Sequence, residues 1–94
     1  MIIKEMTNGN KVSYKLEGAL LTVDDKIYDL QELQSDTTAL IDIYKDDKYI
    51  ANIIIPPYEY EIQEDENDVD GKPTLIQVKK PVDTDKVILQ LWGI

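Results

Sequence analysis

The side chains that most enzymes use for acid–base or nucleophilic chemistry are scarce in this sequence of 94 residues. Histidine, cysteine and arginine are all absent, so the usual general base near neutral pH, the commonest metal ligand and the best thiol nucleophile are missing. The only serines, Ser13 and Ser35, stand in neither a Gly-x-Ser-x-Gly nor a Ser-x-x-Lys arrangement. We therefore expect no catalytic residues and no enzymatic activity.

Carboxylates are the one catalytic group that the chain has in quantity. Nineteen aspartates and glutamates could include a pair of acids of the kind that glycosidases use, provided that burial raises the pKa of one of them. Asp42 is the most interesting, because it lies between Ile41 and Ile43 in an apolar segment. The alternation of that segment favours a solvent-facing side chain over a catalytic one.

An acidic stretch over residues 64–72 has some features of a calcium loop. Oxygen-bearing side chains at Glu66, Asp68 and Asp70 alternate ahead of Gly71, as in an EF-hand. The twelfth position is Gln77 rather than a bidentate glutamate, and predicted strands rather than helices flank the loop. We expect a mobile, solvated acidic loop, and we expect neither a metal site nor any other cofactor site.

The formal net charge of −9 excludes several classes of partner. Such a field repels DNA, RNA and anionic membranes, and no apolar run is long enough to span a bilayer. The first residues turn polar at once and lack the pattern of a secretory signal. The sequence therefore predicts no binding to nucleic acid or membrane, and it predicts synthesis in the cytoplasm. The same sequence features are expected of a virion component that is made in the cytoplasm and released later.

The segments that must position any functional residue are strands separated by turns. The first hairpin is predicted from residues 2–7 and 11–16 around the turn 8–10, and the second from residues 19–23 and 26–28 around Asp24-Asp25. Asp29 and Glu32 are spaced as in a capping box, which predicts one helical turn near 29–34.

The middle of the chain predicts a central hairpin. Residues 38–45 and 48–55 flank Asp46-Asp47, and Pro56-Pro57 must end the second strand because proline donates no ladder hydrogen bond. Further strands are predicted from residue 58, over 74–79 and over 86–92. The sequence thus predicts a single all-β domain over 1–94, a small antiparallel sandwich or partly open barrel of eight or nine short strands.

Candidate binding residues lie in three places. Tyr58 and Tyr60 share a face of the strand after the double proline, where amphipathic rings suit a protein interface. Trp92 near the terminus either closes the core or docks on a neighbouring subunit. Ile53, Ile54 and Ile55 are candidates if their strand lies at the edge of a sheet. The other interaction candidates are Tyr58, Tyr60, the acidic Asp65, Glu66, Asp68 and Asp70, and the terminal Trp92 and Ile94.

Two stretches resemble a known group of proteins. Residues 6–14 read Met-Thr-Asn-Gly-Asn-Lys-Val-Ser-Tyr, and residues 20–30 read Leu-Leu-Thr-Val-Asp-Asp-Lys-Ile-Tyr-Asp-Leu. They resemble the openings of small uncharacterised proteins encoded in prophages of low-GC Gram-positive bacteria, in which a strand, a short acidic turn, a tyrosine and Asp-Leu recur. The resemblance covers the first third of the chain, carries no catalytic motif, and implies a virion or phage-accessory protein.

Three functions follow as expectations. The first is a non-enzymatic protein–protein interaction module that binds a protein partner or itself, as a structural or accessory protein of a phage. The second is an acidic inhibitor or nucleic-acid mimic that occupies a basic site on a host protein. The third is a carbohydrate-binding β domain, which requires two carboxylates beside an aromatic platform in one concavity.

Overall fold

Short strands make up most of the chain in the computed structural model, which describes residues 1–65 and 74–94. A one-turn helix, α1, follows β4, and a 3₁₀ turn over Thr84–Lys86 precedes β9. The strands are β1 (Ile2–Glu5), β2 (Tyr14–Glu17), β3 (Leu20–Val23), β4 (Lys26–Asp29), β5 (Ala39–Lys45), β6 (Lys48–Ile55), β7 (Tyr60–Asp65), β8 (Thr74–Lys79) and β9 (Ile88–Leu91), and α1 is Leu30–Leu33. The predicted all-β class with eight or nine strands is confirmed.

The largest sheet has four strands in the order β1-β9-β6-β5. β5 and β6 form the predicted central hairpin, in which Ile41 pairs with Ile53. The turn residues Asp46 and Asp47 have φ values of 51° and 64°, the left-handed conformation that a tight two-residue hairpin turn requires. A bulge between Ile43 and Tyr44 shifts the register near this turn.

The predicted first hairpin is wrong. β1 pairs in parallel with β9, so that Ile2 lies beside Ile88, while β2 pairs with β3 instead. The segment between β1 and β2 crosses to the other sheet, and it is held against the C-terminus where the Gly93 N–H donates to Thr7 Oγ1 at 2.6 Å. The large sheet is therefore mixed rather than purely antiparallel.

The second sheet has three antiparallel strands in the order β2-β3-β4. The predicted turn at Asp24-Asp25 is confirmed, with φ values of 49° and 63°. The predicted cap of α1 is confirmed as well, because the Asp29 carboxylate accepts hydrogen bonds from the backbone N–H groups of Gln31 (3.1 Å) and Glu32 (3.3 Å).

The hydrophobic core lies between these two sheets. The large sheet contributes alternate residues of β6 and β9, and the small sheet contributes Leu21 and Val23. Leu30 of α1 packs into the same cluster. The arrangement is a two-layer sandwich, and the sheets do not close into a barrel.

β7 and β8 form a separate hairpin, which we call the arm (Tyr60–Asp65 with Thr74–Lys79). Pro56-Pro57 ends β6 as predicted, and the Lys80 N–H donates to the Glu59 carbonyl at 2.8 Å, which closes the base of the arm. The radius of gyration is 18.0 Å, against about 12 Å for a compact domain of this length. The molecule measures 63 × 19 × 19 Å, so it is elongated.

Candidate functional site

Ile53, Ile54 and Ile55 lie in the middle of the large sheet. Their strand, β6, is hydrogen-bonded to β5 on one side and to β9 on the other, so it is not the edge strand that an interaction role for these residues requires. Ile53 and Ile55 are 0% exposed and belong to the core. Ile54 points to the opposite face and is half-buried.

Tyr58 and Tyr60 lie at the base of the arm. The Tyr58 N–H donates to the Ser35 carbonyl at 3.0 Å, and the Lys79 ammonium lies 3.7 Å from the centroid of the Tyr58 ring in a cation–π contact. The Tyr60 ring is half exposed, with its hydroxyl 3.5 Å from a carboxylate oxygen of Asp36. These contacts anchor the base of the arm to the body of the molecule.

Both faces of the arm carry exposed apolar side chains. The register pairs Tyr60 with Lys79 and Ile62 with Gln77, which places Tyr60, Ile62 and Leu75 on one face. Ile76 and Val78 lie on the other face. Ile62 is 67% exposed, Leu75 64% and Ile76 40%. Among the described residues, neither face of the arm is packed against the core.

The two edges of the arm are open as well. Among the residues that the structure describes, β7 and β8 pair with each other and with no third strand. A two-stranded hairpin in water is marginally stable on its own, and its free N–H and C=O groups are available to another strand. The arm therefore has both the apolar surface and the backbone groups that strand addition needs.

A second exposed surface is the outer face of the four-stranded sheet, the side turned away from the core. Because partnered residues point to the same side, the register assembles rows that cross all four strands. The apolar row is Ile2, Ile88, Ile54 and Leu40, and the polar row is Lys4, Gln90, Asn52 and Asp42.

Aromatic rings form a third row at the other end of the outer face. Tyr49 packs edge-to-face against Trp92, with ring centroids 4.6 Å apart, and against Tyr44, with centroids 5.2 Å apart. Trp92 thus lies on the outer face and does not close the core between the sheets. Ile94, beyond it, is exposed, and its N–H donates to the Asn10 carbonyl at 2.9 Å.

Tyr49 also connects the aromatic row with the polar row. Its hydroxyl donates a 2.6 Å hydrogen bond to the Asp42 carboxylate. The pKa of Tyr49 is raised above its usual value of 10.0, and partial burial of the phenol is the largest cause. The hydrogen bond to Asp42 raises the pKa further, whereas a hydrogen bond from the Asn52 amide lowers it. Asp42 is exposed, as its alternating strand predicts, and so does not resemble a buried catalytic acid.

Of the four acidic candidates, only Asp65 lies in the part of the chain that the structure describes. Asp65 is the last residue of β7. Glu66, Asp68 and Asp70, together with most of the predicted loop 64–72, lie outside the described residues.

The described residues offer little to hold a metal or a sugar. Among the side chains that the structure describes, those of residues 1–63 and 75–94, no three carboxylates converge in a way that could hold a metal ion. One open groove, of about 370 Å³, is lined by Asn10, Lys45, Asp46, Lys48, Ile50 and Ile94, and a smaller one by Ser13, Tyr14, Lys15, Thr22 and Asp25. Each of these two grooves has a single carboxylate, so neither offers the acid pair of a glycosidase.

The helical segments of the described chain are far too short for a membrane span. They cover Leu30–Leu33 and Thr84–Lys86, whereas a helix that crosses a bilayer needs about 20 apolar residues.

The sequence interpretation did not single out Leu40, Tyr44 or Ile88 on the outer face, or Leu75 and Ile76 on the arm. The alternation of Ile76 and Val78 along β8 was a usable signal for Ile76, whereas Leu75 falls on the otherwise polar side of that pattern. The rows of the outer face had no local signal, because they depend on the order of strands that are distant in sequence.

Comparison with known proteins yields no match: no protein-family model, no curated protein and no solved structure is significantly similar to this chain.

Proposed function

We propose that this protein is a non-enzymatic protein–protein interaction module and that the arm is its principal binding element. The observation that supports the proposal is the exposure of Ile62, Leu75 and Ile76 on two faces of a hairpin with two open edges. Burying one such side chain contributes about 1.5–3 kcal/mol. A partner that covers both faces would supply the stabilisation that the arm lacks when it is alone.

The mode of binding that fits the arm is strand addition. The partner is a protein with an open strand edge beside an apolar groove. Its strand pairs with β7 or β8 through main-chain hydrogen bonds, and its groove takes up alternate side chains such as Ile62. The main-chain bonds supply affinity and the side-chain pockets supply selectivity.

The proposal includes a structural or accessory role in a phage particle. Its support is the resemblance of residues 6–14 and 20–30 to prophage-encoded proteins. In that setting the chain is made in the host cytoplasm and becomes part of the virion, and the partner of the arm is another virion subunit.

Deleting the arm tests the proposal. Glu59 and Lys80 are already joined by a backbone hydrogen bond, so an Asn-Gly turn can connect them in place of residues 60–79. We expect tagged intact protein, incubated with disrupted phage particles, to retain one virion subunit and the arm-deleted protein to lose it. A substitution on the body, Ile27→Lys, serves as the control that keeps the subunit.

The substitution Ile62→Lys refines this test without removing a segment. It places a charge on the exposed apolar face of the arm, and we expect it to weaken retention at least tenfold, which corresponds to the loss of one buried apolar side chain. Equal retention by the intact and arm-deleted proteins would refute the proposal.

An acidic inhibitor or nucleic-acid mimic is the second candidate, and the net charge of −9 is the observation that favours it. In this reading Asp65, Glu66, Asp68 and Asp70 occupy a basic site on a host protein. The association must then weaken steeply when salt rises from tens to hundreds of millimolar. A carbohydrate-binding role has less support, since neither described groove joins two carboxylates to an aromatic platform.

A further inference from the structure

We infer that the outer face of the four-stranded sheet packs against the same face of a second copy of this chain, about a two-fold axis parallel to the strands. This surface is separate from the arm, and the inference does not depend on the proposed function. It rests on the order of the three rows and on the charges at the two edges of the sheet.

The rows make the outer face apolar at both ends and polar in the middle. The edge positions of the apolar row are well exposed, with Leu40 at 60% and Ile2 at 45%, and Tyr44 at the edge of the aromatic row is 58% exposed. Ile54 and Ile88 complete the apolar row between the edges. An apolar row that spans a whole sheet and is well exposed at both of its edges is the kind of patch that marks an interaction surface.

A two-fold axis parallel to the strands makes this face complementary to itself. The axis places β5 opposite β1 of the second copy and β6 opposite β9, and it keeps each row opposite the same row. Leu40 then faces Ile2 of the second copy, and Ile54 faces Ile88. Two such sheets pack about 10 Å apart at about −30°, as in other sandwiches.

The polar row gives this axis its charge complementarity. Asp42 stands on one edge strand and Lys4 on the other, so each carboxylate faces an ammonium group of the second copy. The alternative two-fold axis, perpendicular to the strands, would bring Asp42 opposite Asp42 and the apolar row opposite the aromatic row. Like charges directly opposite each other are unfavourable, so the charges select the parallel axis.

The size of the face sets the expected affinity. Four strands of about five residues cover about 19 Å by 17 Å, or roughly 320 Å² on each copy, which is below the roughly 800 Å² per partner of a standard specific interface. The net charge of −9 on each copy opposes association and is screened by salt. We therefore expect a weak dimer that forms well above micromolar concentrations and is favoured by moderate salt.

Sedimentation equilibrium over a concentration series measures this directly. We expect the mass to rise from 10.8 kDa to twice that value, and Ile54→Lys to hold the chain at the monomer mass. Ile27→Lys introduces the same charge at a position of β4 that is 69% exposed, and it should leave the dimer unchanged. A chain that stays monomeric at all concentrations, or a dimer unaffected by Ile54→Lys, overturns the inference.

A charge exchange tests the axis itself. Lys4→Glu places like charges opposite each other at both edges and should weaken the dimer about tenfold, whereas Lys4→Glu combined with Asp42→Lys should restore it. Lys26→Glu, on β4, changes the net charge equally and should weaken the dimer less than Lys4→Glu. A double variant no tighter than Lys4→Glu alone contradicts this axis.

The arm-deleted protein separates this inference from the proposed function. We expect it to dimerise like the intact chain, because the outer face is complete without the arm. Loss of the dimer on deletion of residues 60–79 would show that self-association runs through the arm and would refute the inference. It would leave the arm as a binding element, so the two ideas fail separately.

Discussion

The hydroxyl of Tyr49 donates a 2.6 Å hydrogen bond to the carboxylate of Asp42 across the outer face of the large sheet. The bond joins β6 to its neighbour β5 at the bulge, where the register shifts. It also fixes the ring of Tyr49 between Trp92 and Tyr44. One pair of residues thereby orders both the aromatic row and one end of the polar row.

We expect Tyr49→Phe to lower the free energy of unfolding by about 1 kcal/mol, the usual contribution of one such hydrogen bond. The folded protein holds the Tyr49 proton more tightly than the unfolded chain, because its pKa is raised above 10.0. This contribution is complete below pH 10 and is lost as the pH rises through the higher pKa of the folded state.

Urea unfolding at pH 8 and at increasing alkaline pH checks that sign. The stability difference between the natural protein and Tyr49→Phe should be constant up to about pH 10 and shrink above it. Tyr14→Phe, at an exposed position of β2, removes another phenol and serves as the control. A stability difference that grows above pH 10 would contradict the assignment.

The contrast between the core and the arm predicts unequal effects of the same substitution. Leu89→Ala removes a fully buried side chain and should lower the free energy of unfolding by about 2–5 kcal/mol. Leu75→Ala, at a position of the arm that is 64% exposed, should change it by less than about 0.5 kcal/mol. Urea unfolding of both variants measures the difference. Similar losses for the two leucines would mean that the arm is packed against a surface in solution.

The turn between β5 and β6 predicts a stabilising change. Asp47 adopts a φ of 64°, a conformation that glycine reaches without strain, so Asp47→Gly should raise the free energy of unfolding by about 0.5–1 kcal/mol. Asp47→Ala keeps the backbone strain and loses the polar side chain, and it should lower stability by about 1 kcal/mol. Thermal unfolding of the two variants should shift the midpoint in opposite directions; a lower midpoint for Asp47→Gly would show that the turn has another conformation.

Deletion of the arm should leave the body folded. The core lies between the two sheets, and the hydrogen bond between Lys80 and Glu59 already closes the chain at the base of the arm. We expect cooperative unfolding of the deleted protein, with near-ultraviolet circular dichroism from Trp92 preserved. A non-cooperative transition would show that the arm contributes to the core.

Local patterns in the sequence predicted the parts of this fold that are made by neighbouring residues. The aspartate pairs 24–25 and 46–47 mark two hairpins, Pro56-Pro57 marks the end of β6, and Asp29 marks the start of α1, because each acts through its own backbone or the next few residues. The central hairpin and the all-β class follow from these signals together with the alternation of apolar residues.

The pairing of β1 with β9 could not be read in the same way. Ile2 and Ile88 are neighbours in the sheet but lie at opposite ends of the chain, and the turn-forming residues 8–10 favoured a local hairpin instead. The outer face depends on that distant pairing, so its rows could not be assembled from the sequence. Alternation showed that Ile54 opposes Ile53 and Ile55, but it did not show which side faces the core.

Hydrogen exchange of the intact chain, alone and bound to the virion subunit that we propose as its partner, tests the central proposal most directly. The amides of β7 and β8 should exchange quickly in the free protein, because the hairpin has open edges and no core beneath it, and they should become protected in the complex. Amides of β6 should be protected in both states. Arm amides that exchange equally fast with and without the bound subunit, while protection increases elsewhere, would contradict the account.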